Sequence, residues 1–419
     1  MRVLWIVNTI FPAPSEKLGI IKPVLGGWMY GLAEQVAKQA GIKLGIVTTH
    51  SSSNFIKMQI SGIDYFLIPC KDKTKYDVNL EPFWVKICED FMPDIIHIHG
   101  TEYAHGLSCI RKFPNLRYIV SIQGLVGIYS RYYFAGISSG EIFTNITFRD
   151  LIKRDTIFQA KQKFANRGNL ENEYLINSKH AIGRTGWDFA HVKSVNPNIN
   201  YHFCNESLRD GFYTAEKWKL ESCEPYTIFL SQAGYPIKGL HKVIEAASLL
   251  TKDYPKLKIR IGGVNIISNA KIIDRIKRTG YGKYIGKLIE KNKLEKNVLF
   301  LGSLSEEQMI LEYQNSNVFI CPSSIENSPN SLGEAQLIGV PTIASYSGGT
   351  PDMIESGKTG LLYRFEEIEM LAENIRKIFS DSKLVSQISE NSIISASLRH
   401  DREINLEKTI SIYNKIANS

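Results

Sequence analysis

The sequence predicts an α/β protein built on parallel sheets, and three observations carry that prediction. Residues 318–354 read as an apolar strand (Val318 to Cys321), a polar loop, a helix from about Ser331 to near Gly339, a second apolar run (Pro341 to Tyr346), then a Gly-Gly-Thr-Pro turn into another helix. Short apolar runs alternating with helical patterns mark βαβ units and a parallel sheet. The same rhythm recurs along the chain. Finally, 419 residues exceed what one hydrophobic core usually supports, so two domains of roughly 200 residues each are expected.

In the first half, Val3 to Val7 is an all-apolar strand, and a loop ending in Gly26-Gly27 leads to a helical pattern from Trp28 to about Gln39. Glycines before a helix permit close backbone approach to a phosphate or sugar, although an ordinary turn uses them equally. Lys43 to Thr48 and Tyr65 to Ile68 are the next strands. In Pro93 to Gly100, His97 and His99 fall on one side of a strand. Tyr118 to Ile122 is a further strand, ending at Gln123. Tyr129 to Arg167 mixes aromatic and basic residues, with an amphipathic run from Phe143 to Phe164. It reads either as a helical excursion packed on its domain or as a basic-aromatic membrane surface. Glu173 to Asn177 and Ala181 to Arg184 close this half. Arg184, at a strand end, either reaches a ligand or makes a structural ion pair. Val195 to about Glu224 reads as the crossover.

In the second half, Thr227 to Ser231 is a strand, followed by Gly234-Tyr235-Pro236-Ile237-Lys238-Gly239 and a helix. Strand, glycine loop, lysine and helix form a phosphate-binding arrangement: amides donate and Lys238 supplies a point charge. A plain surface lysine is the competing reading. Lys258 to Ile261 and Val298 to Leu301 are strands ending at glycines, and the Lys-rich stretch Ile266 to Lys293 reads as a solvated helical face. The last helix runs from about Asp401 to Ile416.

Glu326 and Glu334 bracket the loop and helix start after Val318–Cys321. Carboxylates accept from vicinal sugar hydroxyls, and the amides of Asn330, Ser331 and Leu332 suit a diphosphate. Alternatively, Glu334 caps its own helix and Glu326 is a solvated loop residue.

Taken together, Glu326, Glu334-Ala335, Gly339 to Ala344 and Gly348 to Asp352 resemble the retaining glycosyltransferases of family four. The resemblance implies the GT-B fold: two Rossmann-like parallel-sheet domains facing across a cleft, with a C-terminal helix packing back on the first. It implies an acceptor-side domain over 1–205, a nucleotide-sugar donor domain over 206–400 and the returning helix over 401–419. It implies catalytic roles for Lys238 and Glu326, with Lys238 on the diphosphate and Glu326 by the sugar, and puts Glu334 on the ribose. Gly234, Asn330, Ser331 and Leu332 join the donor set, and Ser303 and Leu304 meet the base. Gly26, Gly27, His99, Glu102, Gln123 and Arg184 fall on the acceptor side. Two positions depart from the family pattern: Ala233 replaces an arginine and Gln123 a histidine.

The expected chemistry is transfer from a UDP- or GDP-linked sugar to a glycan or lipid-linked acceptor in cell-envelope polysaccharide assembly. A binding protein that has lost catalysis, and a phosphorylase or epimerase on the same fold, are the competing readings. No cofactor is expected, and no Asp-x-Asp motif suggests a metal. Six scattered cysteines without a CxxC pair read as reduced thiols. No apolar run reaches the ~18 residues of a membrane span, and the short first apolar run reads as a strand, not a signal peptide. A cytoplasmic protein is expected, with peripheral contact at the inner membrane face. The net charge of +8 fits an anionic acceptor, an anionic membrane or mere solubility. Without a finger motif or dense basic tract, nucleic acid is not an expected partner.

Overall fold

The computed structural model describes residues 1–20, 27–268 and 276–418. They divide into two compact units. The first comprises Met1–Ile128, Ala165–Asp210 and Arg399–Ser419; the second comprises Tyr129–Phe164 and Gly211–Leu398.

The first unit is built on an eight-stranded sheet. Its strands are β1 (Arg2–Ile6), β2 (Lys43–His50), β3 (Ile56–Ile60), β4 (Ile63–Pro69), β5 (Ile95–His99), β6 (Tyr118–Ser121), β7 (His180–Gly183) and β8 (Asn200–Phe203). The spatial order is β3-β4-β2-β1-β5-β6-β7-β8. The pairs are parallel except β3 with β4. A parallel strand covered on both faces needs apolar residues at every position, and β1 shows it. Leu4 and Ile6 enter one core with Trp84, Ile96 and Val120. Val3 and Trp5 enter the opposite core with Met29, Val36, Ile95 and Tyr413. The terminal helix Arg402–Ala417 thus completes the first unit. Its Tyr413 hydroxyl accepts from Trp5 Nε1 at 2.9 Å and meets His97 Nδ1 at 2.5 Å.

The second unit holds six parallel strands: β9 (Glu224–Leu230), β10 (Lys258–Gly262), β11 (Val298–Gly302), β12 (Ser316–Cys321), β13 (Thr342–Ser345) and β14 (Leu361–Tyr363). Their order is β11-β10-β9-β12-β13-β14. All partners run parallel, so every strand delivers its following loop to the same end of the sheet.

Several elements differ from the sequence reading. Residues 129–164, read there as part of the first half, belong by their contacts to the second unit. The run Phe143 to Phe164 is not one helix: it takes in the end of Ser139–Thr144, the helix Phe148–Lys153 opened by a capping box at Thr147, and the start of the long helix Ile157–Asn177. The crossover contains β8 and a short helix, Gly211–Thr214. β8 reads NYHF, which carries no apolar signal. The Gly280–Lys291 helix is no purely solvated face: it buries Tyr281, Ile285, Leu288 and Ile289. Residues 269–275 of that stretch lie outside the described residues. Among the described residues no helix is long and apolar enough to cross a membrane.

Candidate functional site

Ligands of open parallel sheets bind beyond the carboxyl ends of the strands, where the strand order reverses. In the second unit that point lies between β9 and β12. Lys238 sits on the loop after β9, in the short turn Pro236–Lys238, and Glu326 on the loop after β12. Both are buried, and Lys238 Nζ meets Glu326 Oε1 at 2.5 Å. The Ser323 hydroxyl donates to the same oxygen at 2.9 Å. Burial would lower the Lys238 ammonium, but the Glu326 carboxylate beside it outweighs that and holds it well above the usual lysine range. The solvated-residue readings of both side chains therefore do not describe this structure.

Two close backbone approaches fix the pair. Gly239 has φ +69°, and a Cβ there would stand 1.8 Å from the Pro322 carbonyl oxygen. Gly348 has φ +55°, and its Cβ would stand 1.8 Å from the Glu326 carbonyl oxygen. That carbonyl accepts from Gly349 N at 2.9 Å, while Ser324 N donates to Ile237 O at 2.8 Å. The Gly-Gly-Thr-Pro turn thus holds the Glu326 backbone, and Gly239 lets the two loops touch.

The helix after Glu326 is Asn330–Ile338. Its N-cap is Pro329, which offers no side-chain bond, and the Leu240–Leu250 helix after Lys238 likewise starts without a side-chain cap. The helices at Ser138, Thr147, Thr185 and Ser305 all close capping boxes. Helix starts leave amides without intrahelical acceptors, and here both flank the Lys238–Glu326 pair. The Tyr313 hydroxyl donates to Ser331 O at 2.9 Å and steadies the helix start. Glu334 is the fifth residue of its helix, buried and beyond the first turn. It is therefore not a cap, because capping requires a first-turn position.

Asn330 and Ser331 are half-buried at the helix start. Leu332 is different: its side chain lies in the core and its N–H is given to Pro329 O at 3.0 Å. Gly234 is exposed on the β9 loop, whereas Ala233 is buried. Ser303 and Leu304 follow the edge strand β11 at the same end of the sheet.

The first unit has its own reversal, between β1 and β5. Asn8, just after β1, donates to His99 O at 3.2 Å and to Glu102 Oε2 at 3.3 Å. Gly27 opens the Gly27–Ala37 helix after the β1 loop, and Gly26 lies outside the described residues. The His99 ring lies tilted against those of His97 and Trp5, with centroids 3.8 Å and 4.2 Å away. Neither of its ring nitrogens has a partner among the described residues. Burial drives the His99 imidazole down to about 3, so it is neutral. Burial raises the Glu102 carboxyl. A cavity of about 20 Å³, room for one water, touches His99, Arg184 and Glu206. Among the described residues no three metal-ligating side chains converge.

Arg184 makes a buried ion pair. Its guanidinium pairs with buried Glu206 and donates to Ile122 O at 2.8 Å and Gln123 O at 3.1 Å. Gln123 Nε2 donates to the other Glu206 oxygen at 2.9 Å. Glu206 was missed from sequence because a lone glutamate in a polar crossover carries no signal. Lys73 was missed for the same reason; its ammonium reaches Asn8 O at 2.6 Å.

Comparison with known proteins bears on the second unit most directly. Residues 214–394 match the family model described as "Glycosyl transferases group 1".

That segment is thus similar to the group 1 glycosyltransferases.

Of the curated relatives, sulfoquinovosyl transferase SQD2 of Arabidopsis thaliana is 23% identical over 357 residues. The match covers 82% of this chain and 61% of that protein, so the chain spans about three fifths of that relative's length. Among solved structures, sucrose-phosphate synthase of Thermosynechococcus elongatus superposes with a TM-score of 0.74 at 18% identity, covering 100% of both chains. Anabaena HepE, solved with UDP and glucose, gives 0.66 at 15% identity, covering 99% of both. The fold is that of the GT-B glycosyltransferases. The matched segment contains the Lys238–Glu326 pair, Glu334 and the uncapped helix starts, whereas His99, Glu102, Gln123 and Arg184 lie outside it.

Proposed function

We propose that the chain transfers a sugar from a UDP- or GDP-linked donor to a hydroxyl of a glycan or lipid-linked acceptor, with retention at the anomeric carbon. The observation that carries this reading is the Lys238–Glu326 pair set between two uncapped helix starts at the strand-order reversal. An ammonium has three donors. One is committed to Glu326, leaving two for diphosphate oxygens. Lys238 and the amides of Asn330 and Ser331 stabilise the charge that grows on the departing diphosphate, usually the largest catalytic term. Glu334 takes the ribose hydroxyls and Glu326 the sugar hydroxyls, which fixes orientation. The acceptor oxygen bonds to the anomeric carbon on the face the diphosphate leaves. The carbon–oxygen bond to phosphate breaks, and the acceptor proton passes to a phosphate oxygen. No protein nucleophile, cofactor or metal is invoked.

The group 1 match and the nucleotide held by HepE support a nucleotide-sugar donor. Similarity to the capsular polysaccharide biosynthesis glycosyltransferase CapM of Staphylococcus aureus, 27% identical over 177 residues that cover 43% of this chain and 46% of that protein, supports a cell-envelope glycan, whose assembly we place at the cytoplasmic face. One observation favours a second reading, a donor-binding protein without turnover: buried Ala233 brings no cation, leaving Lys238 as the cation of the β9 loop.

The test is incubation with a panel of UDP- and GDP-sugars and glycan acceptors. Release of nucleoside diphosphate with an axial product linkage from an axial donor, read by proton NMR, is expected. Donor binding without turnover on any acceptor supports the second reading; inversion at the anomeric carbon overturns the retaining mechanism.

A further inference from the structure

In the Phe148–Lys153 helix the usual placement of polar and apolar faces is reversed. Phe148, Leu151 and Ile152 stand at i, i+3 and i+4, which is one helix face, and all three are exposed, Phe148 to 75%. Asp150, on another face, is the buried residue. Its carboxylate accepts from Gly280 N at 2.7 Å, Thr147 N at 3.1 Å and Arg149 Nη1 at 3.2 Å. Five residues before Phe148, Phe143 is 72% exposed near the end of the Ser139–Thr144 helix. Four large apolar side chains within ten residues exceed the scattered single exposures of an ordinary surface.

The exposure is built in. Two capping boxes define the helices. Thr147 Oγ1 donates to Arg278 O at 3.0 Å and Lys283 Nζ to Thr144 O at 3.3 Å. His241 Nε2 bonds Ala135 O at 2.8 Å. The apolar face could turn inward only by breaking these anchors to the body of the unit.

Charge identifies the occupant. Residues 129–164 contain six basic and three acidic side chains. The acids are all engaged: Asp150 as above, Glu141 in its capping box, and Asp155 with Arg149 at 3.1 Å and Lys163 at 3.3 Å. Lys153 and Arg154 follow the apolar tip directly. A partner surface that accepts apolar tips ringed by cations is an anionic bilayer, whose acyl boundary takes the former and head groups the latter.

We infer that residues 139–154 form a docking surface for an anionic membrane. Phe143, Phe148, Leu151 and Ile152 enter the acyl boundary, and Lys153 and Arg154 hold head groups. The chain just before this segment is tied to the Lys238–Glu326 region, since the Ser324 hydroxyl donates to Tyr132 O at 3.1 Å. The inference goes beyond the sugar-transfer reading and does not depend on it, because vesicle binding needs no donor.

The test is co-sedimentation of the full chain with phosphatidylcholine vesicles, with and without phosphatidylglycerol. Binding that requires the anionic lipid and weakens with salt is expected. Phe148→Ser/Leu151→Ser should lower it at least ~10-fold, since each buried large apolar side chain is worth about one decade or more. Lys153→Glu/Arg154→Glu should weaken binding and flatten its salt dependence. Both variants alter exposed positions, so unchanged circular dichroism and melting are expected to accompany the loss. Absence of wild-type binding to anionic vesicles, or unchanged binding by the serine variant, overturns the inference. So does a wild-type dimer that becomes monomeric in the serine variant, which would make the patch a self-interface.

Discussion

The Lys238–Glu326 pair allows stability and ligand binding to be separated. Both side chains are only 11% exposed, so solvent screens them little. Lys238→Met leaves the Glu326 carboxylate buried with the Ser323 hydroxyl and no cation. Breaking a buried pair on one side costs about 3–5 kcal/mol. Glu326→Leu strands the ammonium and should cost a similar amount. The double variant buries no charge, and replacing a whole pair by apolar groups is often neutral or stabilising. Its net cost should therefore be within about 1 kcal/mol of zero, giving a coupling of several kcal/mol in the double-mutant cycle. Urea unfolding at fixed m-value measures all four proteins. A single-variant cost below about 1 kcal/mol, the range of exposed pairs, would refute the buried pair. So would additive single effects. The function should not recover with stability. A hydrogen bond to a charged group is worth about 1.5–3 kcal/mol, so the double variant should fold well yet bind diphosphate roughly 10- to 100-fold more weakly.

Gly239→Ala places a Cβ against the Pro322 carbonyl at a positive φ; we expect destabilisation by at least ~2 kcal/mol and weakened diphosphate binding, and a neutral result in urea unfolding would show that the loops are not so closely joined. Glu334→Gln keeps size but lowers acceptor strength; donor KM should rise ~10-fold for ribonucleotide donors and much less for 2′,3′-dideoxy analogues, since a charged hydrogen bond is at stake. Stability should peak at about pH 7, where the protons held by the unfolded imidazoles balance the one held by folded Glu171. Burial holds His99 at about 3 and His105, His202, His241 and His400 at about 4, so their contribution is present above the unfolded value of roughly 6.5 and lost as pH falls through 4. Burial raises Glu171 to about 8, so its contribution is present below its unfolded value of roughly 4.5 and lost as pH rises through 8. In melting curves from pH 4 to 9, Glu171→Gln should flatten the alkaline slope, to which raised Glu102 also contributes, and leave the acid one; an unchanged alkaline slope would assign it elsewhere.

The second unit was the more legible in sequence because its chemistry lies on loops bounded by strong signals. Apolar strands, Gly239 and the Gly-Gly-Thr-Pro turn announce themselves, and each proves to be a geometric necessity around Lys238 and Glu326. In the first unit the sequence showed that His99 ends a strand and Glu102 follows it, but it could not reveal that Arg184 and Gln123 converge on Glu206 from separate elements. Such clusters are set by tertiary contacts between distant positions, 83 residues apart for Gln123 and Glu206, which local patterns do not encode. The segment 129–164 misled for another reason. Its apolar periodicity suggests one amphipathic helix, but Ser138 and Thr147 cap two short ones, and side-chain capping overrides a weak hydrophobic rhythm.

On the proposed function, Lys238 and the neighbouring amides hold a nucleoside diphosphate beyond the carboxyl ends of β9 and β12. Calorimetric titration of UDP and GDP into the wild-type chain and the Lys238→Met/Glu326→Leu variant tests it most directly. The account predicts one site per chain for at least one of the two nucleotides, weakened at least ~10-fold in the variant. Binding of equal strength in both proteins, or no binding of either nucleotide to the wild type, would contradict it.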